Sequence, residues 1–185
     1  MTQLVRGSLS DIARNNNTSI AQAFMNATAI ILVDVSGSMD LPDCPGNRKR
    51  YDLACEQLIR LQRDLSGQVA VIAWDNTARF CPGGIPSQPG GSTDLANALK
   101  FVYPADGTGV RLIVISDGVP DDQQAALAEA QKFTTKLDCV FVGPENGPGR
   151  DFLKRLAAAS GGTFADQTVA HLPELAATIQ KLIAA

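Results

Sequence analysis

The sequence predicts an α/β domain: a mainly parallel central sheet, helices on both faces, and one short antiparallel edge strand. Three observations carry that prediction. Apolar runs of strand length recur along the chain, helical patterns lie between them, and the first run, AIILV at 29–33, is apolar without interruption. A strand that is apolar at every position is covered on both faces, and repeated strand and helix units bring parallel strands together because each crossover needs a helix.

Taken in order, strands are expected at 29–33 (AIILV), 69–74 (VAVIAW), 111–116 (RLIVIS) and 137–143 (LDCVFVG), with a weaker one at 162–166 (GTFAD). TARF at 77–80 adds the short antiparallel edge. Tyr51, Cys55, Leu58, Gln62 and Leu65, spaced by three and four, mark one face of a helix that Gly67 closes. Further helices are expected within 92–102, 121–136, 150–160 and 172–185, with Asp121 or Asp122 as an N-cap and Pro173 in a first turn. Before the first strand, Leu9, Ile12, Ala13, Ile20, Phe24 and Met25 have partly helical spacing broken by three asparagines. Residues 1–27 therefore read as a helical extension of two short helices packing back on a domain at 28–185; a partner-binding segment is the competing reading.

Composition narrows the function. A chain of 185 residues, 45% hydrophobic and 19% charged, has the length and apolar content for one domain with a sizeable core. With a net charge of −3 and no basic stripe, nucleic acid is not an expected partner. Cys44, Cys55, Cys81 and Cys139 show no C-x-x-C spacing and only His171 could join them, which argues against a zinc site and a disulfide framework. No apolar run reaches the roughly 18 residues of a membrane span, and the N-terminus has no apolar core of signal-peptide length. A reducing, cytoplasmic setting is expected, with no membrane partner.

Ligands of such a sheet bind beyond the carboxyl ends of the strands, where the strand order reverses. Asp34, Ser36 and Ser38 occupy alternate positions there after the first strand, and Asp117 follows RLIVIS. Ser92, Thr93 and Asp94 start a helix after a loop rich in glycine and proline. Convergence of these segments would gather two carboxylates, Asp34 and Asp117, with the hydroxyls of Ser36, Ser38 and Thr93. Hard oxygens with few charges suit Mg²⁺ or Mn²⁺ more than Ca²⁺ or Zn²⁺. Each residue taken alone also reads as a helix cap or turn residue.

The ordered set resembles the von Willebrand factor A domain, whose metal-ion-dependent adhesion site has the pattern D-x-S-x-S, then T, then D. That pattern is complete in Asp34, Ser36, Ser38, Thr93 and Asp117, and DVSGSM, GGSTDL, ISDGVP and LAAASGG are similar to the family's signatures in the family's order. The resemblance runs from about residue 28 to the end and implies a Rossmann-like three-layer sandwich. It further implies that Ser36, Ser38 and Thr93 bind the metal directly and Asp34 and Asp117 directly or through water. A protein partner's Asp or Glu would take the remaining position. The implied function is a metal-dependent protein-binding module and not an enzyme, in assembly or chaperone-associated complexes.

Enzyme readings fare less well. A metal-dependent phosphohydrolase is the alternative, but the D-x-D of haloacid-dehalogenase-like phosphatases has Ser36 in place of its second acid. A serine hydrolase built from Ser36 or Ser38, Asp117 and His171 lacks G-x-S-x-G, and the loop before Ser92 lacks the G-K-[ST] of a phosphate cradle. Asp75 and Asp94 are candidate supporting acceptors or plain caps. Cys55 and Cys139 are expected in the core, Cys44 and Cys81 in loops that could approach one another, and the basic run at 48–50 in solvent.

Overall fold

The computed structural model describes residues 4–86 and 88–185. Strand β1 (Ala29–Asp34) is buried at every position and forms the centre of the sheet. It pairs in parallel with β2 (Val69–Trp74) on one side and with β4 (Arg111–Ser116) on the other. Beyond β2 lies β3 (Ala78–Phe80), which is antiparallel; beyond β4 lie β5 (Leu137–Phe141) and β6 (Phe164–Asp166), both parallel. Among the described residues the order is β3-β2-β1-β4-β5-β6. The chain leaves β1 toward β2 and later returns to β1's other side, so the order reverses between β1 and β4.

The alternation of side chains along each strand divides the core into two layers. Ile30, Leu32, Ile72, Leu112, Val114 and Phe141 face α1 (Leu9–Asn15), α2 (Ile20–Phe24), α4 (Leu95–Val102), α5 (Gln123–Ala130) and α6 (Gly149–Ser160). Ile31, Val33, Val71, Ile113, Ile115 and Val140 face α3 (Arg50–Asp64) and α7 (Leu175–Ala184). A six-stranded, mostly parallel sheet between two helical layers is the α/β class that the sequence predicts. Among the described residues no helix is long and apolar enough to cross a membrane.

Several boundaries and faces differ from expectation. Helix α3 buries Leu53, Ala54, Gln57, Leu58 and Leu61, while Tyr51 and Cys55 are only half-buried, so the core-facing stripe is rotated toward the leucines. Helix α5 ends at Ala130, well short of 136. There the Asp106 carboxylate accepts hydrogen bonds from the backbone N–H of Thr134 (3.0 Å) and Thr135 (2.7 Å), which draws the chain out of the helical path. Met25 is exposed instead of packed. Cys44 belongs to the core, because a backbone bridge between Cys44 and Arg48 turns the loop inward.

The first two helices lie against the sheet's β3 side. Val5 N–H donates to the Gly83 carbonyl (3.1 Å) and Ser10 N–H to that of Pro82 (2.9 Å). The Phe24 ring meets Phe80 edge-on at 5.7 Å between centroids.

One close approach ties the helical layer to the loop after β4. A Cβ placed on Gly149, at the start of α6, would stand 2.6 Å from the carbonyl carbon and oxygen of Gly118. Backbone cannot yield as a flexible side chain does. Gly149→Ala is therefore expected to lower the unfolding free energy by about 1 to 3 kcal/mol. Gly90→Ala, where no atom lies within 4 Å, should change it by less than about 0.5 kcal/mol. Urea titration of the two variants checks this; equal stability would show that α6 can shift freely over the loop.

Candidate functional site

The strand register sets the site's frame. β1 and β4 are adjacent, so the ends of both strands deliver Asp34 and Asp117 to the same place at the order reversal. Past Asp34 the chain turns into a short 3-10 segment, Gly37–Asp40, with Ser36 as its N-terminal cap residue. That turn presents Ser36 and Ser38. The third segment arrives by backbone bonds: Gly90 N–H donates to the Val35 carbonyl (2.8 Å) and Asp94 N–H to that of Asp75 (2.9 Å). Thr93 is joined to the loop after β4, its carbonyl accepting from Asp121 N–H (3.0 Å) while its own N–H donates to the Asp121 carboxylate (3.1 Å).

Four of the five residues singled out from the sequence are linked directly. Asp34 Oδ1 accepts from Ser36 N–H at 2.8 Å. Ser36 Oγ lies 3.2 Å from Ser38 Oγ, and the Ser38 hydroxyl donates to Asp117 Oδ1 at 2.7 Å. The Thr93 side chain makes no hydrogen bond to these four among the described residues, although its loop crosses the same turn. A Cβ on Gly37 would lie 4.0 Å from the Gly91 carbonyl oxygen.

Two further residues complete the cluster. Ser116 donates its hydroxyl to Asp34 Oδ2 at 2.6 Å, in a fully buried bond. Arg50, the first residue of α3, reaches across to Asp117 Oδ2 with Nη1 at 2.5 Å and grips Asp43 through Nε and Nη2. The run at 48–50 is thus not a solvated patch. Arg48 pairs with Glu56 and Lys49 with Asp40 at the surface, whereas the Arg50 side chain is only 5% exposed. In sequence, Arg50 is indistinguishable from its basic neighbours; the one signal is its place at a helix start, where the side chain can turn back toward the sheet. Ser116 carries a clearer signal, a hydroxyl ending an otherwise apolar buried strand.

Electrostatics follow from this packing. Burial pushes the Asp34 carboxyl up to about 6, with the nearby Asp117 charge adding to the rise and the Ser116 and Ser36 hydrogen bonds opposing it. Burial also works against the Arg50 charge, but its bonds to Asp43 and Asp117 outweigh burial and hold the guanidinium protonated.

Other candidates lie apart. Asp75 is occupied by its own turn, accepting from Thr77 N–H (2.9 Å) and from Arg79 (2.8 Å), and Arg79 holds it below the ordinary carboxylate range. Asp94 caps α4 by accepting from Asn97 N–H. His171 is exposed beyond β6, three strand positions from β1, with Nδ1 3.1 Å from the Thr168 hydroxyl. It is remote from Ser36 and Ser38, which removes the hydrolase triad. Among the described residues no three His, Cys, Asp or Glu side chains group as metal ligands, so a cation held here would rely on hydroxyl oxygens.

No protein-family model and no curated protein matches the sequence. Solved structures do. The chain is similar to the manganese-loaded TRAP protein of Plasmodium vivax, at 19% identity and a TM-score of 0.58 over 86% of this chain and 74% of that one. It is similar to a von Willebrand factor type A protein from Catenulispora acidiphila, at 18% identity and a TM-score of 0.60 over 86% of this chain. Proximal thread matrix protein 1 of the mussel byssus matches 94% of this chain at 14% identity and a TM-score of 0.54. The chain spans 42% and 50% of the latter two proteins. At these identities the likeness establishes the fold, which is the Rossmann-like α/β sandwich of von Willebrand factor A domains.

The raised Asp34 value has a measurable consequence. Between the ordinary 3.8 and about 6, the folded protein keeps a proton that the unfolded chain has released, so stability is full below that window and is lost as pH rises through it. In the metal-free protein the unfolding free energy should fall by roughly 2 kcal/mol from pH 4 to pH 7 on account of this group. Asp34→Asn should remove that slope in chemical denaturation run across pH; an unaltered slope would mean that Asp34 is ionised throughout.

Proposed function

We propose that this domain holds a divalent cation, Mg²⁺ or Mn²⁺, through Asp34, Ser36, Ser38, Thr93 and Asp117, and uses it to bind a protein partner by an acidic side chain. The observation that carries this reading is the run of oxygens from Ser36 through Ser38 to Asp117, spaced 3.2 and 2.7 Å. Oxygens sharing an octahedral shell with bonds of about 2.1 Å lie about 3 Å apart, so these two spacings suit a small hard cation. Serine hydroxyls donating to one another and to a carboxylate at the end of a sheet are also poor catalytic machinery by themselves.

When bound, the cation would supply an electrophilic centre for an incoming carboxylate. The chain's own residues do the rest. Ser116 and the Ser36 N–H fix the Asp34 carboxylate, Ser38 orients Asp117, and the bonds between Thr93 and Asp121 tie the Thr93 segment to the loop after β4. We read the domain as a binding module with no reaction of its own, because activating a water needs a positioned base and no histidine or lysine lies in the three site segments. The manganese named for the Plasmodium protein supports the choice of ion. A cytoplasmic setting belongs to the same reading, since the cysteine spacing indicates no disulfide framework.

The lone tryptophan offers a direct assay, because Trp74 is paired in register with Asp34. Mn²⁺ should quench its fluorescence saturably and Mg²⁺ should compete. Ser38→Ala should weaken the ion at least about tenfold while Thr108→Ala, between α4 and β4 at the other end of the sheet, leaves it unchanged. Capture of a partner should disappear with EDTA and with loss of one acidic residue of that partner. Metal-stimulated hydrolysis of a phosphoester, lost in Asp34→Ala, would overturn the module reading.

A further inference from the structure

The Arg50 guanidinium is held between two acids of unequal exposure. Asp117 is fully buried at its side chain and receives one bond, to Oδ2; Asp43 is 37% exposed and receives two. The opposite oxygen of Asp117, Oδ1, belongs to the Ser38 hydroxyl. One carboxylate thus faces the hydroxyl run with one oxygen and an internal cation with the other.

This geometry has two effects on any divalent ion at the hydroxyl run, and they oppose each other. By holding Oδ2, Arg50 keeps Asp117 turned toward Ser38, which favours the ion. By bringing a fixed positive charge within one carboxylate of it, Arg50 repels the ion in a buried setting where charges are weakly screened. The repulsion is the larger, because Asp117 is already oriented by its bond to Ser38. Asp43 acts on the same balance from outside: the more firmly it holds the guanidinium, the less of that charge falls on Asp117.

Resting on the metal reading above, we propose that Arg50 sets the strength of the cation site, acting through Asp117 as a built-in competitor for its carboxylate, and that Asp43 is the counterweight that limits this competition. The ion is then weakly held by the domain alone and gains most from an added anionic ligand, which ties metal retention to the arrival of an acidic partner. Arg50 is a positioning residue in this scheme, with no contact to the partner.

The two side chains predict opposite signs, which a purely structural pair would not give. By Trp74 quenching and by the Mn²⁺-induced rise in Tm, Arg50→Gln should bind Mn²⁺ about tenfold or more tightly than wild type. Arg50→Lys, which keeps the charge, should stay within about threefold, and Asp43→Asn should bind several-fold more weakly. If Arg50→Gln does not fold without metal, its recovery on refolding with Mn²⁺ and the Asp43→Asn result decide the matter. Weakening by Arg50→Gln, or unchanged or tighter binding by Asp43→Asn, overturns the proposal while leaving the metal site intact. Absence of Mn²⁺ binding in wild type and all variants overturns both.

Discussion

Two carboxylates at the ends of adjacent buried strands are the constraint around which this end of the molecule is organised. Asp34 and Asp117 stand beside one another with side chains almost wholly removed from water, where like charges repel strongly and an unpaired ion is costly. Four donors are spent on that problem. Ser116 and the Ser36 N–H serve Asp34, Ser38 and Arg50 serve Asp117, and the residual strain emerges as the raised proton affinity of Asp34. Such an arrangement is poor for stability taken by itself. On the reading proposed above, it is a place where charge is stored for something that binds.

The same constraint explains why α3 starts where it does. Its first residue must send a guanidinium back across the loop to the end of β4, and the bridge between Cys44 and Arg48 gives the chain the turn it needs to do so. Gly149 and Gly118 approach closely for a related reason, since the loop carrying Asp117 is pinned from the far side by α6. Site and scaffold are therefore not separable: residues from both helical layers meet at the strand ends.

Much of this could be read in the sequence because it is local or periodic. An unbroken apolar run such as 29–33 admits few alternatives to a doubly covered strand, and the alternate polar positions after it point to one end of that strand. The D-x-S-x-S turn and Asp117 stand out because each follows an apolar strand, whereas Thr93, at a helix start after a loop, joins them only through the resemblance to the adhesion-site pattern. Long-range pairing was not visible. The partnership of Arg50 with Asp117 spans 67 positions, and only its place at a helix start sets Arg50 apart from Arg48 and Lys49. The early end of α5 was hidden for the same reason, since it depends on Asp106, an acid 28 positions before the backbone it captures. The rotated face of α3 shows a different limit: Tyr51 and Cys55 have the right spacing, but leucines fill the space above the sheet better.

The sheet's two margins bear on how the molecule keeps company with others. Both β3 and β6 are three residues long, and β3 carries Arg79 clasped to Asp75. A foreign chain seeking to extend the sheet would find a template of one or two ladder rungs, interrupted by charge, where fibril growth needs a long flat row of free amides and carbonyls. Self-templated stacking is thereby discouraged at both borders. The domain can then be present at high local density without its copies adhering side to side.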